Sequence, residues 1–260
     1  MMSLQNISKS FNEGQCMLVN VLLLFLFAAL PYYLFFEKTK KLKPENIFLF
    51  TLFLLLTGMA VASFTTFTSS ETLIIIALVS SIFSIYKASR TSNLYKLSYY
   101  MLYINAPVLF MFDLKQSVPY ILSLMVTLFG IYLIGTYYER NYGSANYHSV
   151  TGITLITPYA GLALRIYIIT LALYPPFPNS IFFLNSILKT DIGVLWYLVV
   201  VVIFFGNFIL GMRILAQSVF GKPNENIHYV DLTPKDKKIH FVIILTLFVL
   251  SIWGFKEVLA

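Results

Sequence analysis

Apolar runs long enough to cross a lipid bilayer recur along the whole of this chain, and that recurrence limits the fold before any motif is considered. The hydrocarbon core of a bilayer is about 30 Å thick and a helix rises about 1.5 Å per residue, so one crossing needs roughly 20 apolar residues. Runs that approach or meet this length lie at 17–36, 47–67, 71–88, 97–113, 117–138, 150–174, 192–218 and 239–256. A further run at 177–188 is too short to cross comfortably and follows Pro175, Pro176 and Pro178, which suggests a half-helix. Lipid offers no partners for backbone N–H and C=O groups, so only helices or closed barrels can span it. The runs lack the polar alternation of a barrel strand. The sequence therefore predicts an all-α integral membrane protein: a bundle of eight or nine transmembrane segments, some broken by proline.

Composition agrees. Of the 260 residues, 58% are hydrophobic and 11% charged, against about 25% charged in an ordinary soluble domain. A soluble enzyme, a disordered tail and a nucleic-acid-binding domain are all excluded on that ground. Cys16 stands alone, so no disulfide framework is available. The net charge of +7 sits in short basic runs between apolar segments, which is how topology signals are distributed rather than a nucleic-acid surface.

The chain reads as one domain over 1–260: an N-terminal segment 1–16, a first span and basic loop 17–44, and the remainder 45–260. Residues 17–36 are too long for the apolar core of a signal peptide, and the basic run to Pro44 that follows stops transfer. The first sixteen residues hold one Lys and no Arg, so no transit peptide is expected. Counting the spans in order puts Lys38, Lys40, Lys41, Lys43, Lys87, Arg90, Lys96, Arg140 and Lys189 on one side and Lys9 and Lys115 on the other. The first side is expected to be cytoplasm or matrix. The side of the loop 219–238 depends on whether 177–188 crosses.

Polar groups inside hydrocarbon are expensive and each needs a reason. Arg165 is the one formal charge deep within an expected span. It reads as an arginine reaching an interface or a neighbouring subunit, with a charge relay or interhelical ion pair as the alternative. Pro107, with Asn105 beside it, and Pro158, with Thr154 and Thr157 beside it, break their segments and free backbone carbonyls that small polar side chains or water can satisfy. Broken helices can build ion sites in transporters, but prolines also merely kink membrane helices. His148, His228 and His240 fall in loops or at span edges, and no metal-ligand spacing, phosphate loop or nucleophile elbow occurs. No catalytic constellation and no cofactor of the chain's own are expected.

Several local patterns then fall in a familiar order. Ser89-Arg90-Thr91-Ser92-Asn93-Leu94-Tyr95-Lys96 precedes Ser98-Tyr99-Tyr100; Gly135-Thr136-Tyr137-Tyr138-Glu139-Arg140 precedes Tyr142-Gly143; Leu173-Tyr174-Pro175-Pro176-Phe177 follows; and Asp231-Leu232-Thr233-Pro234 opens a last apolar run ending Trp253-Gly254-Phe255-Lys256. Together, over roughly 45–260, they resemble the antiporter-like membrane subunits of respiratory complex I, most closely the second half of the subunit-4 type (chain M in bacteria). The resemblance implies a membrane-arm subunit of a proton-translocating NADH:ubiquinone oxidoreductase, in a mitochondrial inner membrane or a bacterial plasma membrane. It implies enzyme membership without redox chemistry in this chain. The implied partners are other membrane-arm subunits, a separate chain supplying the first half, and lipids such as cardiolipin. Subunits 2 and 5, and cation/proton antiporter chains, share the fold.

In that family protons follow a buried axis of Lys, His and Glu. Lys96 falls on one of its lysines, while Leu56, Asn105, Ser123 and Phe183 or Asn185 stand where other titratable groups are expected. The resemblance thus makes Lys96, Asn105 and Ser123 the proton-pathway candidates and Pro175 and Pro176 the helix break. The missing titratable positions keep open a purely structural role, and an independent transporter is a further alternative.

Overall fold

The protein is described by a computed structural model covering residues 19–64 and 70–259. Lys9, Cys16, the N-terminal segment 1–16 and the ends 17–18 and 65–67 of two expected spans lie outside the described residues. The described residues are helical, with no strand beyond an isolated bridge between Asn93 and Asn146. In chain order they form α1 (19–26), α2 (Tyr33–Thr39), α3 (Pro44–Phe64), α4 (Glu71–Arg90), α5 (Leu94–Asn105), α6 (Val108–Met111), α7 (Leu114–Tyr142), α8 (Ile153–Ile156), α9 (Pro158–Leu171), α10 (Pro178–Leu188), α11 (Val194–Ile214), a π-helical turn Leu215–Val219 and α12 (Pro234–Leu259). Five of these are long and apolar enough to cross a membrane: α3, α4, α7, α11 with its π turn, and α12.

Local chemistry sets the ends. Asn93 caps α5 by accepting from Lys96 N–H at 3.1 Å. Thr233 starts α12 with a reciprocal cap: its Oγ1 accepts from Asp236 N–H at 3.2 Å and donates to Asp236 Oδ2 at 2.7 Å. Gly143 ends α7 in the left-handed region, φ 76°, where a β-carbon would be strained. Proline decides the breaks. Pro107 lies between α5 and α6, so the expected segment 97–113 is two helices. Pro158 occupies the first turn of α9, where its missing N–H costs nothing, so 150–174 divides into α8 and α9.

One further expectation is corrected, and one question the sequence left open is answered. The stretch 17–36 is not one helix, because the chain turns at 27–32 between α1 and α2 and Ala28 adopts φ 55°. The segment 177–188 does not cross by itself: α10 has 11 residues, about 16 Å of rise.

How α10 is used becomes clear along α7, which among the five long helices has the largest buried share, 61% of its most apolar window. Gly130 faces Tyr167 of α9, Ser123 bonds Asn179 at the start of α10, and the Gln116 carbonyl accepts from Ser186 Oγ at 3.2 Å. The positions descend on α7 as they rise on the other side. Helices α9 and α10 therefore form one rod antiparallel to α7, interrupted at 172–177 beside the middle of α7. Helix α12 runs parallel to the same rod: His240 meets Tyr167, Trp253 meets Phe182, and Lys189 reaches the Glu257 carbonyl.

This arrangement also settles which charges share an end. Arg140 pairs with Asp236 across the C-terminus of α7 and the N-terminus of α12. The loop 219–238 therefore sits at the end carrying Arg140, and Lys222, Lys235, Lys237 and Lys238 join the basic side. Lys189 lies instead at the opposite end, with Gln116 and Lys115, and is corrected accordingly. Charge thus segregates more sharply in the structure than in the segment count.

Close packing depends on small residues where rings cross. A β-carbon on Gly130 would lie 2.5 Å from Tyr167 Cζ, which is why the buried ring can cross α7 there. Outward faces remain apolar. Helix α12 buries 17% of its most apolar window, and Phe241, Val242, Phe248 and Ile252 are exposed, as expected where lipid or a neighbouring chain is the solvent.

Candidate functional site

The candidate site is a set of buried polar side chains that gather at the helix breaks. Asn105 is the last residue of α5, one step before the Ala106-Pro107 break, and is fully buried. Asn207 lies on α11 in the apolar run Phe204-Phe205-Gly206-Asn207-Phe208 and is fully buried too. The two amides exchange hydrogen bonds: Asn105 Nδ2 donates to Asn207 Oδ1 at 3.1 Å, and Asn207 Nδ2 donates to Asn105 Oδ1 at 2.8 Å. Each is also anchored to its own helix, through the Met101 and Ile203 carbonyls at 2.7 and 2.8 Å. Tyr120 of α7 donates its hydroxyl to Asn105 Oδ1 at 2.5 Å. Three helices are thereby joined at one point, with Gly206 allowing α11 close to Ile85 and Ile104.

One turn further along α7, Ser123 is fully buried and donates to Asn179 Oδ1 at the start of α10. Tyr120 and Ser123 are three residues apart, so they share a face of α7. Ser117 and Thr127, both fully buried, extend that face in each direction. The result is a polar stripe, Ser117-Tyr120-Ser123-Thr127, along the helix that lies against the α9–α10 interruption. Asn179 Nδ2 and Ser117 Oγ are buried without a hydrogen-bond partner among the described residues. Unmet donors and acceptors of this kind are where ordered water is held in other proteins.

A second polar group lies toward the basic end. Ser81 donates to the Ile104 carbonyl at 2.7 Å, next to Asn105, and Ser84 shares a hydrogen bond of 3.0 Å with Tyr33. Tyr33 packs its ring on Tyr99, Tyr100 and Tyr103. Tyr99 and Tyr100 both donate to Glu37 Oε1, at 2.6 Å for Tyr99, and Lys87 Nζ stands 3.8 Å from Glu37 Oε2. The hydrogen bonds do not run unbroken from Glu37 to Asn179. The side chains nevertheless line a single polar path through an otherwise apolar interior. Its central members are amides and hydroxyls, neutral groups that both donate and accept.

The sequence candidates are placed as follows. Asn105 and Ser123 are brought onto the same path, linked by Tyr120. Lys96 is not. It lies in the first turn of α5, nine residues before Asn105, about 13 Å along the helix. It is half-buried, and its ammonium makes no ion pair among the described residues.

Arg165 is half-buried, with its guanidinium 5.6 Å from the Phe220 ring and its Nε unpartnered among the described residues. No carboxylate reaches it among the described residues, so a cation–π contact takes the place of an ion pair. Pro107 stands immediately beside the Asn105 cluster, and Pro158 opens α9. Pro175 and Pro176 are exposed in the turn that separates α9 from α10.

Sequence reasoning missed Asn207, Tyr120 and Asn179, and with them Ser117 and Thr127 of the stripe. The signal for Asn207 was present, a lone amide in a long apolar run. It also missed Arg213, whose guanidinium donates to the Ala88 and Thr91 carbonyls at 2.9 Å, to the Ser89 carbonyl, and to Tyr147 OH at 2.7 Å. It closes the C-terminus of α4 from α11, where carbonyl oxygens and the helix dipole favour a cation. Asp231 does the converse for α9, accepting from Ala160 N–H at 3.2 Å in its first turn. His240, expected at a span edge, is buried within α12 and bonded to Tyr167 OH at 2.8 Å. Among the described residues no three of His, Cys, Asp and Glu gather as a metal site.

Compared with protein-family models and with curated proteins, the chain matches none.

Proposed function

We propose that this chain is a membrane-arm subunit of the antiporter-like type in a proton-translocating NADH:ubiquinone oxidoreductase, and that its polar path takes part in moving protons across the arm. One observation carries the reading. The Leu173-Tyr174-Pro175-Pro176-Phe177 stretch, one of the motifs whose shared order carries the resemblance, interrupts the α9–α10 rod beside the Ser123–Asn179 pair on the buried face of α7. Interrupted helices near mid-depth are the recurring way in which transporters expose backbone and side-chain polar groups to a translocated ion. In this reading α1–α2, α5–α6 and α8–α9–α10 are each one broken crossing. With α3, α4, α7, α11 and α12 they make eight. The basic end faces matrix or cytoplasm.

Between Glu37 and Asn179 the described path contains no group that ionises near neutral pH. Proton passage there rests on hydrogen-bond exchange through hydroxyls, amides and water. The absence of titratable centres also favours a second reading, in which the chain fills its place in the arm without conducting. Both are tested on the assembled complex with Ser123→Ala and Asn179→Leu. A conducting path predicts normal assembly and NADH oxidation with lowered proton pumping per electron. Unchanged pumping in fully assembled variants selects the non-conducting role.

A further inference from the structure

At the basic end, a groove on the outer surface between α9 and α12 combines features that the polar path does not use. Its lower part, about 180 Å³, is lined by Leu162, Ala163, Phe241 and Ile244. Its upper part, about 520 Å³, is lined by Tyr159, Lys237, Lys238 and Val242. The two parts share Tyr159, Lys237 and Phe241, so they form one continuous concavity running from the end of the bundle down its apolar flank. We propose that this groove binds an anionic phospholipid, with the phosphate at Lys237 and Lys238 and one acyl chain lying along Leu162, Phe241 and Ile244.

The charges favour that occupant. Lys237 is 3.6 Å from Asp231 Oδ2 and 3.6 Å from the Tyr159 ring centroid, so one carboxylate fixes it over the groove. Asp236 is taken by Arg140. Lys235 and Lys238 are exposed and have no counter-ion among the described residues. Four cations, Arg140, Lys235, Lys237 and Lys238, thus face two carboxylates, Asp231 and Asp236, leaving a local excess of two positive charges. Directly beneath them the wall is apolar, with Tyr159, Leu162 and Phe241 exposed. Basic side chains above an intramembrane apolar groove match a phosphate headgroup and its acyl chain together. A zwitterionic lipid would satisfy the groove but leave the charge unanswered. A soluble anion would do the reverse.

The test uses the full chain reconstituted in phosphatidylcholine vesicles. A tenth of the lipid is a diazirine-bearing phosphatidylglycerol, or phosphatidylcholine with the same diazirine chain. After photolysis, labelled peptides are mapped by mass spectrometry. The expected result is phosphatidylglycerol labelling of peptides containing Leu162 and Phe241–Ile244 several-fold above the phosphatidylcholine level. The apolar hollow lined by Leu184, Val200 and Phe204 carries no cation, so both lipids should label it equally. The side chains of Lys235 and Lys238 make no hydrogen bond or ion pair among the described residues, so Lys235→Gln with Lys238→Gln leaves the fold intact. That double variant should cut the preference about fivefold per lysine removed. Equal labelling by the two lipids, or a preference that survives the double variant, overturns the proposal. Leu162→Trp, which fills the apolar half, should lower labelling by both lipids at this groove. Undiminished labelling in that variant also overturns it.

Discussion

The reciprocal amide pair between Asn105 and Asn207 allows a quantitative forecast. Two cross-helix hydrogen bonds, at 3.1 and 2.8 Å, connect α5 to α11. Interhelical hydrogen bonds in membrane proteins average about 0.6 kcal/mol each and reach about 1.7. The pair should therefore show a coupling energy of about 1.2 kcal/mol, with a ceiling near 3.4. Each single substitution to Ala should cost more than that coupling alone implies. Asn207→Ala leaves Asn105 Nδ2 with only the Met101 carbonyl, and Asn105→Ala removes the acceptor 2.5 Å from the buried hydroxyl of Tyr120. A stranded buried polar group costs about 1–3 kcal/mol. The assay is equilibrium unfolding in mixed micelles for the wild type, both single variants and the double variant. Asn207→Ala combined with Thr39→Ala serves as a distant control that should be additive. Additivity of Asn105→Ala and Asn207→Ala within about 0.3 kcal/mol would refute the amide clamp, because residues bonded twice to each other must couple.

Three other outcomes follow from the same contacts. Gly130→Ala should destabilise the bundle by about 1–3 kcal/mol, because the new methyl overlaps the fully buried Tyr167 ring; thermal unfolding in detergent measures it, and an unchanged midpoint would show that α7 and α9 do not cross there. Arg213→Gln should cost about 1–3 kcal/mol, because the Ser89 carbonyl loses its charged donor and the Ala88 and Thr91 carbonyls keep only Thr91 N–H and Tyr147 OH, read as faster proteolysis between α4 and α5. Lys96→Ala should leave proton pumping within about twofold of wild type, because its ammonium pairs with neither Glu37 nor any other carboxylate among the described residues; a complex that assembles but pumps poorly would restore Lys96 to the pathway.

Helix identity was legible in the sequence because hydrophobic length is a direct measure of bilayer crossing. The runs 47–67, 71–88, 117–138, 192–218 and 239–256 became α3, α4, α7, α11 and α12 with ends shifted by a few residues. Pro107 and Pro158 marked real breaks because proline removes a donor and clashes with the preceding turn. The break between α1 and α2 was not legible. It occurs at 27–32, where Pro31 is the only strong punctuation and the apolar run continues through it. Nor could composition show that α9 and α10 are one rod, since that follows from the contacts of Tyr167, Asn179 and Ser186 with α7.

The site was half legible. Asn105 and Ser123 came from a resemblance, but their partners Asn207 and Asn179 lie 102 and 56 residues away. No local pattern announces a pairing at that distance. Lys189 was placed on the wrong side because a half-helix was counted as a crossing.

The most direct test of the central claim is where the native chain migrates. Membranes solubilised in mild detergent are run on a native gel, stained for NADH dehydrogenase activity and probed for this chain. The proposed membrane-arm role predicts comigration with the active high-mass band. Migration only as a small separate species would contradict it and leave an independent membrane transporter in its place.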